Sequence, residues 1–400
     1  DTASHPTPIL TTSAGARPAL VMKFTVNSQD LQRALSTVSG AVPNKATLPI
    51  LECVLFERDE DALRIAATDL DISIVQSLPV QFETNGTDAK QRIAVPAKRL
   101  LDTVRALPSG LPVTVQTDTE HTVELTTDQG RYKMVGFDGG DYPALPSLED
   151  AQTVKAPTSV LRRAIDKTGF AVSKDALRPA MMGVLFQVRP ENARVVATDG
   201  HRLVLLTLDA ITADPAMEFI APEKALSLAG KAAGDLGDCT IRVGGGYVEF
   251  SLGDTTVIGR MIDEQYPNYE AVIPVENEKR LTVQREALLN AVKRVALYSS
   301  SMTHQVRLAL RKDAIEISAE DIERASEAKE RVLCEYDADE MEIGFNATYL
   351  TEVLQDLDAE DAVFEFSSPN RAGVVSPSEP AEGEDVLMLI MPVMLNTYAA

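Results

Sequence analysis

The residues best able to do chemistry lie in the stretch VVATDGHRLVLL, residues 195–206, at the end of an apolar run. An acid, an imidazole and a guanidinium, those of Asp199, His201 and Arg202, lie within four positions there. Such groups could act in general acid–base catalysis if they converge in space with matched pKa values. Because the chain has only four histidines, this trio is the first candidate for an active site.

Other patterns in the sequence do not support catalysis or metal binding. HExxH, GxSxG and G-x-x-x-x-G-K-[ST] motifs are absent from the sequence. AGKAAG at 229–234 lies within a helix pattern and lacks phosphate-loop spacing, and GGG at 244–246 predicts a hairpin turn. Asp69 and Asp71 alternate along a strand, which favours a solvated edge over a metal site. We therefore expect no catalytic residue, no metal and no cofactor.

Composition limits the class of protein. Four hundred residues with 44% hydrophobic content predict two or three packed domains, and no apolar run is long enough for a membrane helix. Three distant cysteines fit a reducing cytosol. The first 21 residues predict a disordered leader. A formal charge of −22 argues against nucleic acid unless the basic residues are gathered on one surface.

The candidate stretch belongs to an internal repeat. RIAATDLDISIV at 64–75 aligns without a gap with RVVATDGHRLVL at 194–205, and AIEISAEDIERA at 314–325 is a degenerate third copy. Each copy predicts a strand, a helix and several alternating strands, and then the same pattern again. The sequence therefore predicts three doubled units of α+β class, with six helices on mainly antiparallel sheets.

The repeat separates the Thr–Asp pair from the residues after it. Thr68–Asp69 and Thr198–Asp199 occupy the same place, which predicts a strand-end turn whose Asp receives backbone N–H bonds. The GHRL that follows Asp199 has no counterpart in the first copy, which has LDIS there. These four residues are therefore candidates for a specialised role of the middle unit.

Basic residues are concentrated on the predicted helices. Helices are predicted at 28–42, 96–107, 157–174, 222–235, 284–297 and 346–360. The first five together carry more basic than acidic residues, whereas the sixth carries four acids and no base. Two interpretations stay open: ordinary solvated helix faces, or a basic helix-lined surface that holds DNA phosphates without reading bases.

Five motifs together resemble the bacterial sliding clamps, the β subunits of DNA polymerase III. They are MKFTV at 22–26, TLPIL at 47–51, VATDGHRL at 196–203, MEIGFN at 341–346 and LIMPVML at 389–395. The resemblance covers the chain from Met22 to its end. It implies the DNA clamp fold, in which three tandem similar clamp domains per chain close into a head-to-tail dimeric ring around duplex DNA. The corresponding domain boundaries are 22–150, 151–277 and 278–400, after a leader at 1–21.

The resemblance also implies three sets of site residues. A hydrophobic pocket for a partner peptide would be formed by Thr198, Gly200, His201, Arg202, Leu203, Pro267, Val272, Leu389, Met391 and Pro392. DNA would be faced by Lys45, Arg162, Arg163, Lys167, Lys224, Lys231, Lys293 and Arg294. The dimer interface would include Tyr132, Leu297 and Tyr298. One departure from the family is that Pro179 and Ala180 stand where some clamps carry two tyrosines near DNA.

The implied function is that of a non-catalytic processivity factor in the cytoplasm, associated with the nucleoid and not with a membrane. Its implied partners are double-stranded DNA, a second copy of the chain, the replicative polymerase catalytic subunit, the clamp loader, repair polymerases and mismatch-repair proteins. A monomeric peptide-binding scaffold that uses the same groove is the main alternative. An enzyme that uses Asp199 and His201 is a third hypothesis.

Overall fold

A computed structural model describes residues 20–83, 91–234 and 237–395. The predicted leader at 1–21 therefore lies almost wholly outside the described residues. The chain divides into two compact units, residues 1–145 and 146–400, and each is described by itself. In the described part, no helix is both long and apolar enough to cross a membrane.

The first unit contains one domain. Its elements in chain order are β1 (Leu20–Asn27), α1 (Ser28–Val38), β2 (Cys53–Asp59), β3 (Ala62–Thr68), β4 (Ile72–Pro79), β5 (Gln81–Phe82), β6 (Arg92–Pro96), α2 (Ala97–Arg105), β7 (Pro112–Asp118), β8 (Thr122–Thr126), β9 (Arg131–Val135) and β10 (Phe137–Asp138). The strands pair antiparallel in the orders β5-β1-β7-β8-β9 and β10-β6-β2-β3-β4, and α1 packs against α2.

The second unit begins with the second domain. Its elements are β11 (Gln152–Pro157), α3 (Thr158–Gly169), β12 (Gly183–Val188), β13 (Ala193–Thr198), β14 (Arg202–Leu208), β15 (Met217–Pro222), α4 (Glu223–Ala232), β16 (Asp238–Gly244), β17 (Tyr247–Leu252) and β18 (Thr255–Arg260). A 3₁₀ turn, Glu270–Val272, follows. The predicted GGG turn joins β16 to β17, with Gly245 and Gly246 both at positive φ.

The third domain completes the second unit. Its elements are β19 (Lys279–Gln284), α5 (Arg285–Ala296), β20 (Gln305–Arg311), β21 (Ala314–Asp321), β22 (Ser326–Tyr336), β23 (Met341–Asn346), α6 (Ala347–Asp356), β24 (Asp361–Phe366), β25 (Gly373–Pro377) and β26 (Glu384–Ile390). One sheet has the order β15-β12-β13-β14-β26-β25-β24-β19-β22-β21-β20-β23, and β18-β17-β16-β11 form another. The pairing of β14 with β26 thus joins the second domain to the third.

The predicted doubling of each unit is confirmed. Apart from the two-residue strands β5 and β10, every half-domain reads strand, helix and three strands. The leading strand of one half pairs with the three-stranded meander of the other, as β1 does with β7 and β6 with β2. This exchange buries the apolar faces of both halves around one core, which explains why neither half is an independent layer.

Local sequence sets where the helices begin and end. The Asn27 side chain accepts the Gln29 N–H at 2.9 Å and caps α1, and the Asn346 side chain caps α6 in the same way. All six helices are shorter than predicted, most clearly those predicted at 157–174 and 346–360. The first ends at Gly169, a poor helix former, and the second ends before Leu357, whose backbone is extended.

Candidate functional site

The TDGHRL turn has the geometry that the repeat predicted. Oδ1 of Asp199 accepts the backbone N–H groups of His201 (2.8 Å) and Arg202 (3.0 Å). In the first copy, Oδ1 of Asp69 accepts the N–H groups of Asp71 (3.1 Å) and Ile72 (2.7 Å). The predicted strand-end turn is therefore confirmed in both copies.

A third turn of this kind ends the degenerate strand β21. Oδ1 of Asp321 accepts the N–H groups of Glu323 (3.1 Å) and Arg324 (3.3 Å). Residue 320 is Glu, so the Thr–Asp pair that marks the other copies is missing. The aspartate is therefore sufficient for the turn without a preceding threonine. An aspartate at the end of a strand is the sequence signal that would have predicted this third turn.

Gly200 suits the backbone conformation of the turn and leaves room for the Arg178 side chain. Its φ is +88°, in the left-handed region that favours glycine. A Cβ there would lie 2.8 Å from Nη1 of Arg178, whose loop covers the turn. In the first copy Leu70 takes the equivalent position at φ +83°. The glycine therefore lets the loop before β12 approach the turn closely, which the first copy does not need.

Arg202 is a buried link between the turn and its surroundings. Its side chain is 8% exposed, and its Nε pairs with Oδ2 of Asp199 at 3.2 Å. Nη2 donates to the Phe170 carbonyl at 2.7 Å, and Nη1 pairs with the Glu352 carboxylate. The guanidinium also lies 4.7 Å from the ring centroid of Tyr349. Arg202 was predicted to line a pocket for a partner peptide, and its guanidinium is buried in contacts with Asp199, Phe170 and Glu352.

The geometry of the trio does not favour catalysis. Oδ1 of Asp199 holds the turn backbone and Oδ2 pairs with Arg202, so the carboxylate is occupied on both oxygens. Its contact with His201 is to the backbone N–H. The exposed imidazole of His201 stacks on the ring of Tyr349, with centroids 5.7 Å apart. The three residues thus build a surface, and the enzyme hypothesis gains no support from them.

The C-terminal strand comes to the same place as the turn. In the register of β14 with β26, Leu203 lies opposite Leu389. The Met391 N–H then donates to the His201 carbonyl at 2.8 Å and continues the pairing to the turn. The predicted residues of the middle and third domains, nearly 190 positions apart in the sequence, therefore lie side by side.

These residues form an apolar floor with an exposed apolar rim. Leu203 and Leu389 belong to a buried cluster that includes Tyr266 and Tyr269. The two tyrosines anchor the segment that carries Pro267 and Val272. On the surface, Val272 is 54% and Met391 40% exposed, Pro267 is exposed and Pro392 half-buried. We call the ten residues predicted for the partner-peptide pocket the groove. They are Thr198, Gly200, His201, Arg202, Leu203, Pro267, Val272, Leu389, Met391 and Pro392.

Sequence reasoning missed several residues beside the groove. Ala180 packs against the buried cluster, and Met182 is 37% exposed on the same loop. Tyr349 and Glu352 come from α6 of the third domain. Their contacts depend on tertiary packing between distant segments, so no local pattern could reveal them. Only the departure at Pro179 and Ala180 drew attention to this loop.

The predicted DNA-facing residues divide into two groups. Lys45, Arg162, Lys224, Lys231, Lys293 and Arg294 are exposed, although Arg294 pairs with Glu330 at 2.6 Å. The assignment of Lys167 to DNA does not fit the structure, because its side chain is 8% exposed and its ammonium pairs with Asp358 at 2.8 Å. Arg163 is likewise held by two carboxylates. Lys98, Arg99 and Arg105 of α2, which the prediction did not include, are also exposed.

The three predicted interface residues lie at surfaces of their own units. Tyr132 is 37% exposed on β9, the last strand of its sheet. Leu297 and Tyr298 follow α5 and are 80% and 45% exposed. Large apolar side chains at such exposure are typical of interaction surfaces. The edge strand and the end of α5 are therefore available for contacts between copies.

The seam between α3 and α6 contains an aspartate with an unusual pKa. Burial raises the pKa of Asp356 from its ordinary value of 3.8 to about 6. Lys167 and Arg202 oppose this shift, and Asp358 and Glu352 add to it. Because the folded-state pKa lies above the unfolded one, ionised Asp356 destabilises the fold above pH ~6, and protonation relieves this as the pH falls.

We therefore expect Asp356→Asn to stabilise the protein by about 1 kcal/mol at pH 7.5, after allowance for partial exposure. The gain should shrink as the pH falls from 7 toward 4, because the wild-type carboxyl is then protonated in the folded state. Urea unfolding of both proteins across this range measures the difference. A gain that is constant or grows toward low pH would contradict the account.

Three family models of the DNA polymerase III beta subunit together match most of the described residues. The N-terminal domain matches residues 22–146, the central domain 155–268 and the C-terminal domain 270–394. The chain is 31% identical to the beta sliding clamp of Synechococcus elongatus, with 94% of the chain and 100% of that relative covered. It is also 31% identical to the beta sliding clamp of Caulobacter vibrioides, with 93% and 100% covered.

Solved structures agree with the family. The crystal structure of a DnaN sliding clamp from Pseudomonas aeruginosa bound to griselimycin has a TM-score of 0.87 at 29% identity, with 94% of this chain and 100% of that chain covered. The Bartonella birtlesii clamp bound to griselimycin gives 0.87 at 28% identity with the same coverage. The chain therefore belongs to the family of DNA polymerase III beta subunits, the non-catalytic DNA sliding clamps.

Proposed function

We propose that two copies of the chain close head to tail into a ring around duplex DNA and that the groove docks partner proteins on this ring. The observation that carries the docking function is the pairing of β14 with β26, which brings the GHRL turn and Met391 to one apolar surface. An apolar floor with exposed apolar side chains and backbone groups at its rim suits a short peptide with apolar anchors.

The distribution of charge supports DNA as the encircled partner. The chain carries a formal charge of −22, yet its helices present exposed cations. The proposed DNA-facing set is Lys45, Lys98, Arg99, Arg105, Arg162, Lys224, Lys231, Lys293 and Arg294. Phosphate contacts from such side chains carry no sequence information. A ring held on DNA by its topology needs only weak contacts and can slide.

Two strand edges support closure into a ring. Within the described residues, β9 pairs only with β8, and β22 pairs with β19 only through Leu281–Val283. Residues 326–333 of β22 therefore offer backbone groups on one side. Helix α5, which packs against β22, ends just before the exposed Leu297. Unpaired edges of this kind are ready to add a strand from another chain. We propose that β9 of one copy meets β22 of the other.

The finer organisation follows from the ring. We propose domain boundaries at 22–150, 151–277 and 278–400, consistent with β11 beginning at Gln152 and β19 at Lys279. The proposed partners are the replicative polymerase catalytic subunit, the clamp loader, repair polymerases and mismatch-repair proteins, in the cytoplasm and at the nucleoid. The monomeric scaffold would use the same groove but would show the mass of one chain in solution.

A substitution at the groove rim tests the docking function. We expect Val272→Glu to weaken binding of griselimycin and of the polymerase catalytic subunit at least ~10-fold, because a carboxylate would be desolvated against apolar groups. Since Val272 is 54% exposed, folding should be unaffected. Titration calorimetry measures the affinities.

Val275→Glu is the matched control, because Val275 is 94% exposed three positions away and lies outside the groove residues. It should bind as tightly as the wild type. Equal weakening in both variants would point to a general charge effect. Wild-type affinity in Val272→Glu would place the docking site elsewhere.

A further inference from the structure

Arg163 is the most heavily paired cation on α3. Its Nη2 lies 2.7 Å from Oε1 of Glu384, and its Nε donates to the other oxygen of the same carboxylate. Nη1 lies 2.9 Å from Oδ2 of Asp358. The planar guanidinium thus makes a two-point contact with one carboxylate and a further contact with a second, which is a strong and directional arrangement.

The main partner of Arg163 is Glu384, the first residue of β26. We call β26 the docking strand because it leads to the groove. Glu384 begins β26, and its side chain is only 6% exposed. At this point Leu208 lies opposite Glu384, and the Asp209 N–H donates to the Gly383 carbonyl at 3.0 Å. The other end of β26 supplies Leu389 and leads to Met391 of the groove. Arg163 therefore holds the strand at the end opposite the groove.

The next cation along the same face of α3 reinforces this attachment. Lys167, four residues on, donates to the Asp356 carbonyl and pairs with Asp358 at 2.8 Å. Arg163 and Lys167, which both belong to the second domain, are thus directed at the third domain. By contrast, Arg162 is exposed, and its own i,i+4 pair with Asp166 is long at 3.9 Å. Two adjacent arginines on one helix consequently have different surroundings.

The charge state of Arg163 is consistent with a permanent link. Its hydrogen bonds to Glu384 raise its pKa, against the opposing effect of burial, and Asp358 raises it further. A guanidinium so placed would have to break contacts with two carboxylates before it could reach a phosphate. Loss of a buried partner would also leave the Glu384 carboxylate desolvated and unpaired, which is costly.

We infer that Arg163 is a positioning residue of the groove, which fixes the docking strand β26 on the second domain through Glu384, and that it is not a DNA contact. Only the effect of Arg163 on partner binding rests on the proposed docking function. The attachment of β26 itself is a property of the strand and can be measured without any partner.

The test compares Arg163→Gln with Arg162→Gln in the full-length protein, since the two variants lose the same charge at adjacent positions. Hydrogen exchange of the amides at 386–390 reports on β26. We expect Arg163→Gln to accelerate this exchange at least ~10-fold, because a charge-assisted contact is lost, and Arg162→Gln to leave it unchanged. Arg163→Lys keeps the charge but loses the planar two-point contact. Its exchange rate should therefore lie between those of the wild type and Arg163→Gln.

Binding to linear duplex DNA at several salt concentrations gives the second readout. We expect Arg162→Gln to reduce the log–log salt slope by about 0.9, the value of one phosphate contact, and Arg163→Gln to leave it unchanged. Wild-type exchange of β26 in Arg163→Gln, or a slope reduced as in Arg162→Gln, would overturn the inference.

Two further measurements separate this inference from the proposed function. Glu384→Gln should reproduce the faster exchange, and the Arg163→Gln/Glu384→Gln double variant should be no worse than either single one, since the two residues act as one unit. Fully additive effects would contradict the pairing. Failure of griselimycin to bind the wild-type protein would reject the docking function, whereas the exchange data would still decide the role of Arg163.

Discussion

Arg202→Met is expected to lower the free energy of unfolding by about 3 kcal/mol, because removal of one partner from a buried ionic network leaves the others desolvated. The Asp199 carboxylate is 14% exposed and would lose its charged partner. The Phe170 carbonyl would lose its 2.7 Å hydrogen bond, and the ring of Tyr349 its cation. Chemical denaturation monitored by circular dichroism measures the change.

Ligand binding in the groove should also weaken when this network is broken. The turn would lose its link to α6, so we expect griselimycin binding to weaken by more than ~10-fold even where the protein is still folded. Arg324→Met is the matched control. Arg324 also follows its aspartate by three positions, but it is 68% exposed and 3.6 Å from Asp321.

An exposed pair of this kind should contribute less than about 1 kcal/mol. Equal losses in Arg202→Met and Arg324→Met would contradict the structural role assigned to burial at Arg202. A folded Arg202→Met protein with wild-type binding would contradict the role of the network in shaping the groove.

Leu297→Glu is expected to convert the dimer to a monomer. The residue is 80% exposed in the single chain, so folding should be unaffected. A carboxylate at the centre of an apolar contact costs about 2 kcal/mol. A head-to-tail ring of two chains contains the contact twice, so the dissociation constant should rise about a thousandfold. Sedimentation equilibrium should then report 43.3 kDa where the wild type reports twice that mass.

Leu177→Glu is the control for this experiment. Leu177 is 90% exposed but lies on the loop before β12, outside the proposed interface. It should remain dimeric. A wild-type protein that sediments as one chain would favour the monomeric scaffold, and a dimeric Leu297→Glu protein would show that the interface lies elsewhere.

The sequence was informative wherever a local pattern determines the structure. The internal repeat predicted the doubled units, and the aspartate at the end of β13 predicted the turn, because both depend on neighbouring residues. The difference between GHRL and LDIS falls where Arg202 makes its buried contacts with Asp199 and Glu352. The resemblance placed Leu389 and Met391 beside the turn, which the strand register now explains.

The sequence was misleading where tertiary packing decides. A count of basic residues on α3 could not distinguish Arg162 from Arg163, because only the fold brings Glu384 and Asp358 to one of them. Arg202 was assigned to the partner-peptide pocket, and contacts with Glu352 and Tyr349 of α6 help to bury it. The turn at Asp321 was overlooked because the comparison relied on a Thr–Asp pair. For Arg163 and Arg202 the deciding neighbours are far away in the sequence.

The most direct test of the central claim, an encircling ring, is topological. The protein is loaded by a clamp loader and ATP onto nicked circular DNA, the DNA is then linearised, and retention is followed by gel filtration. A ring should stay on circles and leave through the ends of linear DNA. Equal retention on circular and linear DNA would mean ordinary surface binding and would contradict the account.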